Sequence, residues 1–113
     1  MRSRREALLN ILRDKNFSEF EKKVYEAAFG IPRGKIRSYK WIAEKIKHPK
    51  ACRAVGNALN KNPYPILIPC HRVIKSDGSI GGFAKGVNMK KRLLSQEGID
   101  CNDGRCYNRK TRS

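Results

Sequence analysis

Apolar residues recur at helical spacing through the first third of the chain. Leucines at positions 8, 9 and 12 predict a short amphipathic helix over residues 5–13. A second helix is predicted from Ser18, which begins a capping box, to Gly30, which stops it. We therefore expect residues 1–16 to form a short helical extension ahead of the main domain.

Two further short helices, joined by a tight turn, are predicted after the second helix. Ser38 caps the first of them, which carries an apolar stripe ending at Ile46, and the second follows Pro49. Small apolar residues line the inner side of the second helix. Its outer side carries basic and amide groups, namely Lys50, Arg53, Asn57 and Lys61. This arrangement is typical of a helix-turn-helix that reads DNA, although other small helical hairpins share the pattern.

The second half of the chain alternates short apolar runs with prolines and glycines. Residues 66–68 and 73–74 predict short buried strands, and a glycine-rich loop follows at residues 81–86. A last helix is predicted over residues 88–97, and the polar, basic residues 100–113 are expected to form a flexible tail. The predicted fold class is mainly α with short strands: a small helical domain containing a winged-helix-like helix-turn-helix.

The amino-acid composition indicates a polyanionic partner. The chain has 113 residues, enough for one domain. Lys and Arg number 26 against 10 Asp and Glu, which gives a net charge of +16. No acidic residue lies between Glu44 and Asp77. A surface that only keeps a protein in solution usually mixes both signs, so nucleic acid is the favoured partner over solvent alone.

Membrane and secreted proteins are not expected. No apolar run approaches the ~20 residues of a membrane span, and the basic start lacks the apolar segment of a signal peptide. We expect a monomer that works where DNA is, in the cytoplasm at the nucleoid or in a eukaryotic nucleus. Its four cysteines are then expected as free thiols, at spacings unlike a zinc site. Cys101 and Cys106 are interpreted as ordinary thiols, with a disulfide as the alternative in an oxidising or thermophilic cytosol.

A thiol and an imidazole are adjacent at Cys70 and His71. Neighbours along a strand point to opposite faces, so a turn or a bridging water is needed to bring them together. Arg72 and the acid-free surroundings are expected to supply a positive field, which lowers the pKa of the thiol and so favours the nucleophilic thiolate. The alternative is an inert buried cysteine, which on spacing alone is the more common case.

The segment Pro-Cys-His-Arg-Val-Ile at residues 69–74 closely resembles the active-site motif of the O6-alkylguanine-DNA alkyltransferases, the methylated-DNA–protein-cysteine methyltransferases. Further matching motifs occur in the same order at residues 32–39, 53–59, 62–69, 81–83 and 93–98. The resemblance covers residues 17–99, which would form the DNA-binding and active-site domain. It implies irreversible, single-turnover transfer of an alkyl group from O6-alkylguanine in duplex DNA to the protein, with O4-alkylthymine as a further candidate substrate.

The resemblance also implies roles for individual residues. Cys70 would accept the alkyl group, His71 would act as its base through a water, and Glu97 would orient His71. Asn62 would hold the turn that brings thiol and imidazole together. Tyr39 would press a DNA phosphate and donate a proton to the departing guanine.

The DNA contacts and the pocket follow from the same resemblance. Arg53 would fill the space left by the extruded nucleotide, since a stacked base keeps its O6 substituent out of reach. The further expected DNA contacts are Tyr39, Ser38, Gly56, Asn57, Lys50, Lys61 and Arg72. The expected pocket residues are Val73, Phe83, Ala84 and Lys85.

Two departures from the family are visible. Only sixteen residues precede the matching region, so the family's N-terminal domain, with the zinc site of some members, is not expected, and neither is a metal or other cofactor. Ala84 stands where many members have serine or another small polar residue. A damage sensor of the alkyltransferase-like class would lack a cysteine at the position of Cys70, so this residue favours the transferase over the sensor. A general basic nucleic-acid binder would show no ordered match through Tyr39, Arg53, Asn62, Cys70 and Glu97.

Overall fold

Five helices and four short strands make up the part of the chain that the computed structural model describes, residues 3–64, 67–83, 85–102 and 105–108. The elements are α1 Arg4–Arg13, α2 Glu19–Phe29, β1 Arg37–Ser38, α3 Tyr39–Lys45, α4 Cys52–Asn60, β2 Val73–Ile74, α5 Val87–Gln96, β3 Ile99–Asn102 and β4 Arg105–Asn108, with one 3₁₀ turn at Cys70–Arg72. The predicted class, mainly α with short strands, is confirmed.

Side-chain caps set where the first helices begin. The Oγ of Ser18 accepts from the backbone N–H of Glu21 at 3.1 Å, and the Glu21 carboxylate accepts from the Ser18 N–H at 3.0 Å. This reciprocal pair is the predicted capping box. Ser38 caps α3 in the predicted way, through its Oγ and the N–H of Trp41 at 2.9 Å.

The helix-turn-helix consists of α3 and α4, packed on α2. The end of α3 is a Schellman motif, in which the N–H of His48 donates to the carbonyl of Ala43 at 2.8 Å and Lys47 takes a left-handed φ of 66°. Val24, Ile42 and Val55 are fully buried between the three helices. The hydroxyl of Tyr25 donates to the carbonyl of Ala58 and ties α2 to α4.

A parallel pair of two-residue strands connects this motif to the segment that contains Cys70. Arg37 pairs with Val73 and Ser38 with Ile74. The start of α3 and the end of the 3₁₀ turn are therefore held side by side. The strand predicted at residues 66–68 is not formed as such: residue 66 lies outside the described residues, Leu67 lies in a turn, and only Ile68 makes a bridge.

The prediction of a frayed tail is wrong for the described residues after 99. β3 and β4 form an antiparallel hairpin in which Cys101 lies opposite Cys106, and the two are joined by a disulfide. The hairpin closes a second core of Ile74, Leu94, Ile99 and Cys106. The N–H of Cys106 also donates to the carbonyl of Gly78 at 2.8 Å, so the hairpin is held against the turn after β2. No helix within the described ranges is long and apolar enough to cross a membrane.

Reduction of the Cys101–Cys106 disulfide is expected to destabilise the domain. Opening so short a loop costs about 2 kcal/mol by the chain-entropy estimate, and that loss lowers the melting temperature of a chain this size by roughly 10 °C. Thermal unfolding followed by circular dichroism with and without dithiothreitol measures the effect. Cys101→Ser should lower the melting temperature similarly and abolish the response to reductant. The matched control Cys52→Ser, at a free thiol, should retain it. Equal melting temperatures of the oxidised and reduced protein would contradict this role.

Candidate active site

Asn62 folds the chain that leads to Cys70. Its side chain is buried, its amide donates to the carbonyl of Ile68 at 2.9 Å, and its Oδ1 accepts from the N–H of Tyr64 at 2.9 Å. Both polar ends of the side chain are thus used to close one loop. A single 3₁₀ turn, Cys70–Arg72, follows immediately. Side chains on such a turn project about every 120° rather than to opposite faces, and this supplies the turn that the sequence requires.

Cys70 is a buried thiol, 5% exposed. Burial raises its pKa, and the side chain of Asn62 and the charge of Lys90 offset the rise only in part. The prediction of a pKa lowered by Arg72 is therefore wrong on two counts. The nearby cation is a different residue, and the net shift favours the thiol. A group that keeps its proton at neutral pH needs a base before it can act as a nucleophile.

His71 and Glu97 form a buried pair. The Nε2 of His71 lies 2.8 Å from Oε2 of Glu97, and the ring is 1% exposed. A carboxylate can only accept, so Nε2 carries the proton and Nδ1 retains its lone pair. Nδ1 is buried and has no hydrogen-bond partner among the described residues. Burial lowers the pKa of His71, more than Glu97 raises it, so the ring is neutral and Nδ1 is a free acceptor.

Glu97 ends α5 and receives several donors. Burial raises the pKa of its carboxyl, but hydrogen bonds from Arg72 and His71 outweigh this effect and lower the pKa to about 2. The N–H of Gly34 points to Oε1 at 3.4 Å. An acid at a helix C-terminus is disfavoured by the helix dipole, and the pairing with His71 expected from the sequence is part of what compensates it.

The prediction that Arg72 contacts DNA is wrong. Its Nε donates to Oε1 of Glu97 at 2.8 Å and its Nη2 to Oε2 at 3.0 Å. The remaining nitrogen, Nη1, donates to the carbonyl of Ile31 at 2.8 Å. The residue is buried, and each of its three guanidinium nitrogens has a partner inside the domain.

Lys90 is a site residue that the sequence analysis missed. It is 0% exposed, and its ammonium donates to the carbonyl of Val73 at 2.7 Å and to that of Gly82 at 3.0 Å. Burial lowers its pKa to about 8, and the charge of Cys70 opposes that shift. One signal was available: Lys90 lies four residues before Leu94 and so shares the inner face of the last helix.

Tyr39 closes the site from the side of the helix-turn-helix. It is half-buried at the start of α3, and Nζ of Lys90 lies 5.9 Å from its ring centroid. Burial and the nearby Cys70 raise the pKa of its hydroxyl. Gly81 approaches it so closely that an added Cβ would lie 2.8 Å from Oη, and Gly81 also has a φ of +72°. Only glycine fits this position without strain.

The predicted pocket residues are only partly brought together. Val73 is buried, and the ring of Phe83 stands edge-on to that of His71, with centroids 6.5 Å apart. Lys85 is exposed, and Ala84 lies outside the described residues. Within the described ranges, no three His, Cys, Asp or Glu side chains converge as a metal site would require.

Comparison with known proteins identifies the family of the chain. The family model described as "6-O-methylguanine DNA methyltransferase, DNA binding domain" matches residues 19–99. The chain belongs to this family. A methylated-DNA–protein-cysteine methyltransferase of Methanosarcina barkeri is 51% identical over 80 residues, 71% of this chain and 51% of the relative. That of Pyrobaculum aerophilum is 42% identical over 104 residues, 92% of this chain and 68% of the relative.

Solved structures agree with the family assignment. The Mycobacterium tuberculosis OGT in complex with DNA has a TM-score of 0.70 at 44% identity, over 72% of this chain and 49% of that chain. Schizosaccharomyces pombe Atl1, in complex with damaged DNA containing O6-carboxymethylguanine, has a TM-score of 0.70 at 33% identity, over 81% of this chain and 90% of that chain. This chain thus spans about half the length of several full transferases that it matches.

In this family member, the expected DNA contacts occupy different environments. Lys50, Arg53 and Asn57 are exposed on or next to α4. Gly56 is half-buried, with its Cα facing the ring of Tyr39. Lys61 is exposed but lies 3.7 Å from the carboxylate of Glu21. Ser38 uses its hydroxyl to cap α3. The outer face of α4 therefore retains the predicted cations.

Gly81→Ala is expected to displace Tyr39. The added Cβ has no room beside Oη and the backbone is strained there, so the free energy of unfolding should fall by about 1–3 kcal/mol. Urea unfolding measures the loss, and the ring resonances of Tyr39 report the displacement. The matched control is Gly82→Ala, where a Cβ meets nothing within 4 Å. Equal behaviour of the two variants would contradict this packing.

Proposed function

We propose that the chain repairs O6-alkylguanine in duplex DNA by transferring the alkyl group to Sγ of Cys70, once per protein molecule. The observation that carries the proposal is the buried relay: an un-ionised thiol beside a neutral imidazole whose Nε2–H is held by Glu97. Nucleophile, base and orienting carboxylate are the parts that covalent catalysis requires.

The first step of the proposed reaction creates the thiolate. The proton of Cys70 passes through a bridging water to Nδ1 of His71, which is the free acceptor of the pair. Glu97 then faces an imidazolium and stabilises it as an ion pair. Lys90 stabilises the new thiolate electrostatically, because a buried ammonium close to Cys70 is worth far more than one in water.

In the second step, Sγ attacks the alkyl carbon in line with the bond to O6. The S–C bond forms as the C–O6 bond breaks, and guanine leaves with the electron pair. Tyr39 donates a proton to the departing base. Burial raises the pKa of its hydroxyl, so the proton is present at neutral pH. The imidazolium and the phenolate return to neutral through solvent. The product is a thioether, from which the thiol is not regenerated, so each molecule acts once.

The substrate must leave the base stack to reach Cys70. Two solved relatives hold DNA, and one of these contains O6-carboxymethylguanine, which supports duplex DNA with an alkylated guanine as the partner. Exposed Arg53 on α4 would fill the gap left by the extruded nucleotide. Lys50 and Asn57 would bind phosphates from the same face, and the chain would act as a monomer wherever chromosomal DNA is held.

Lesion binding without transfer is the second candidate. It is favoured by the likeness to Atl1, of whose chain this one covers 90%. The buried thiol next to a paired imidazole favours transfer instead, because a sensor needs neither. Mass spectrometry separates the two directly.

Incubation with a duplex containing O6-methylguanine should add one methyl group to the peptide that contains Cys70. The yield should stop at one equivalent per protein even with excess substrate. Cys70→Ala should abolish the mass gain and retain DNA binding, since affinity rests on phosphate contacts. The matched control is Cys52→Ala, which removes the other free thiol and should transfer normally. Binding of the lesion with no mass gain in the unaltered protein would favour the sensor.

Arg53→Ala should separate base extrusion from chemistry. The guanidinium acts only while a base is taken from the duplex, so the variant should slow repair of duplex O6-methylguanine by about 10-fold or more, in proportion to unstacking energies of a few kcal/mol. Its reaction with free O6-benzylguanine should be unchanged. Arg13→Ala, on exposed α1, is the matched control and should leave both rates unaltered. Equal slowing on both substrates would remove Arg53 from this role.

A further inference from the structure

We propose that Arg72 is a positioning residue of the relay: its guanidinium holds the Glu97 carboxylate so that His71 remains neutral and keeps Nδ1 as a free acceptor. This proposal rests on the proposed function for its kinetic consequence. Its structural part, the state of the His71 ring, can be tested without any transfer.

The geometry shows a planar, two-point contact. Nε and Nη2 of Arg72 meet the two oxygens of Glu97 at 2.8 and 3.0 Å. Nη1 is anchored on the carbonyl of Ile31 at 2.8 Å. A fork of this kind fixes the plane of a carboxylate as well as its position. Because Oε2 also meets Nε2 of His71 at 2.8 Å, the orientation of the carboxylate determines that of the ring.

The charges around His71 support the same conclusion. Glu97 faces the ring from the end of α5, Lys90 acts on it from within α5, and Arg72 from the same 3₁₀ turn. Glu97 raises the pKa of the ring, whereas burial, Arg72 and Lys90 lower it. Without Arg72 the carboxylate would have His71 as its main counter-charge, and the pair would take up a proton at higher pH. A protonated pair cannot accept the proton of Cys70.

The proposed experiment measures transfer rates against pH on two substrates. Arg72→Gln, Arg72→Lys and the surface control Arg13→Gln are compared with the unaltered chain, using duplex O6-methylguanine and free O6-benzylguanine. Arg72→Gln should slow both reactions by about 10-fold or more, since general-base assistance is typically worth 10²–10⁴. The acid limb of its rate profile should move to higher pH, because the active form is the one in which His71 is neutral and can accept a proton.

Arg72→Lys separates charge from shape. It keeps a cation beside Glu97 but loses the fork, so its acid limb should stay close to that of the unaltered chain while its rate is reduced. It also carries the test if Arg72→Gln does not fold. Arg13→Gln changes net charge alone and should alter neither the rate nor the limb.

Three results would overturn the proposal. Slowing confined to duplex DNA would make Arg72 a phosphate contact. In Arg72→Gln, slowing on both substrates with an unmoved acid limb would leave Arg72 only a structural role. An unreduced rate in Arg72→Lys would show that the fork is not needed.

Imidazole ¹H–¹⁵N spectra provide the readout that is independent of transfer. The chain has two histidines, and exposed His48 serves as an internal reference. We expect His71 to be neutral with its proton on Nε2 at pH 7, and to protonate at higher pH in Arg72→Gln. Absence of transfer in the unaltered chain would refute the proposed function, whereas a His71 titration unaffected by Arg72→Gln would refute the role of Arg72.

Discussion

The buried carboxylate of Glu97 is the interaction on which the site depends. It joins three separate parts of the chain: the end of α5, the 3₁₀ turn through His71 and Arg72, and the turn before β1 through the N–H of Gly34. Arg33 reinforces the last of these by donating to the carbonyl of Gln96 at 2.8 Å. Gly34 has a φ of +85°, a backbone conformation in which a residue with a Cβ would be strained.

Burying the charged groups of Glu97 and Arg72 costs free energy. The cluster therefore contributes more to the precise positioning of its side chains than to the free energy of unfolding. Removing a carboxylate and a guanidinium from water costs several kcal/mol each, which their mutual attraction offsets only with good geometry and full hydrogen bonding. Both conditions are met by the fork and by the Ile31 carbonyl. A misplacement of about 1 Å can cost roughly 10²-fold in rate, so proton transfer from Cys70 to His71 depends on how firmly the imidazole is held. The ionic cluster therefore supports the chemistry of its neighbours.

Short-range sequence patterns predicted most of the helices, whereas the pairings between residues distant in the sequence were not predicted. The caps at Ser18 and Ser38 and the two helices of the helix-turn-helix follow from residues within one turn of each other. The β1–β2 pairing depends on residues 36 positions apart, and the hairpin depends on burial against Ile74 and Leu94. Neither has a strong local signature. In sequence, the polar, basic residues 99–108 resemble a flexible tail. The alternation of Ile99 and Cys101 indicates a strand only once the core against which they pack is known.

The sequence motif predicted the candidate site, and the burial of Arg72 and Lys90 in the structure corrected the prediction for its cations. Asn62 lies beside the Cys70 thiol and Glu97 pairs with His71, whereas their roles in transfer stay predictions. Spacing in the sequence says nothing of which cations are buried. In the sequence Arg72 and Lys90 look like any other member of a chain with 26 Lys and Arg. A buried cation is distinguished from a solvated one only by partners supplied at a distance, here Glu97 for the first and the Val73 and Gly82 carbonyls for the second.

The distinction between buried and exposed cations affects how many basic residues are available to contact DNA phosphates. The acid-free stretch between Glu44 and Asp77 contains seven basic residues: Lys45, Lys47, Lys50, Arg53, Lys61, Arg72 and Lys75. Arg72 is buried, Lys61 pairs with Glu21, and Lys45 lies over the Trp41 ring, 5.3 Å from its centroid. Apart from Arg72, all of these residues are exposed. Since each neutralised phosphate contributes about −0.9 to the slope of log affinity against log salt, this stretch supports fewer phosphate contacts than its composition indicates. The internal cations act on the thiol and the carboxylate instead.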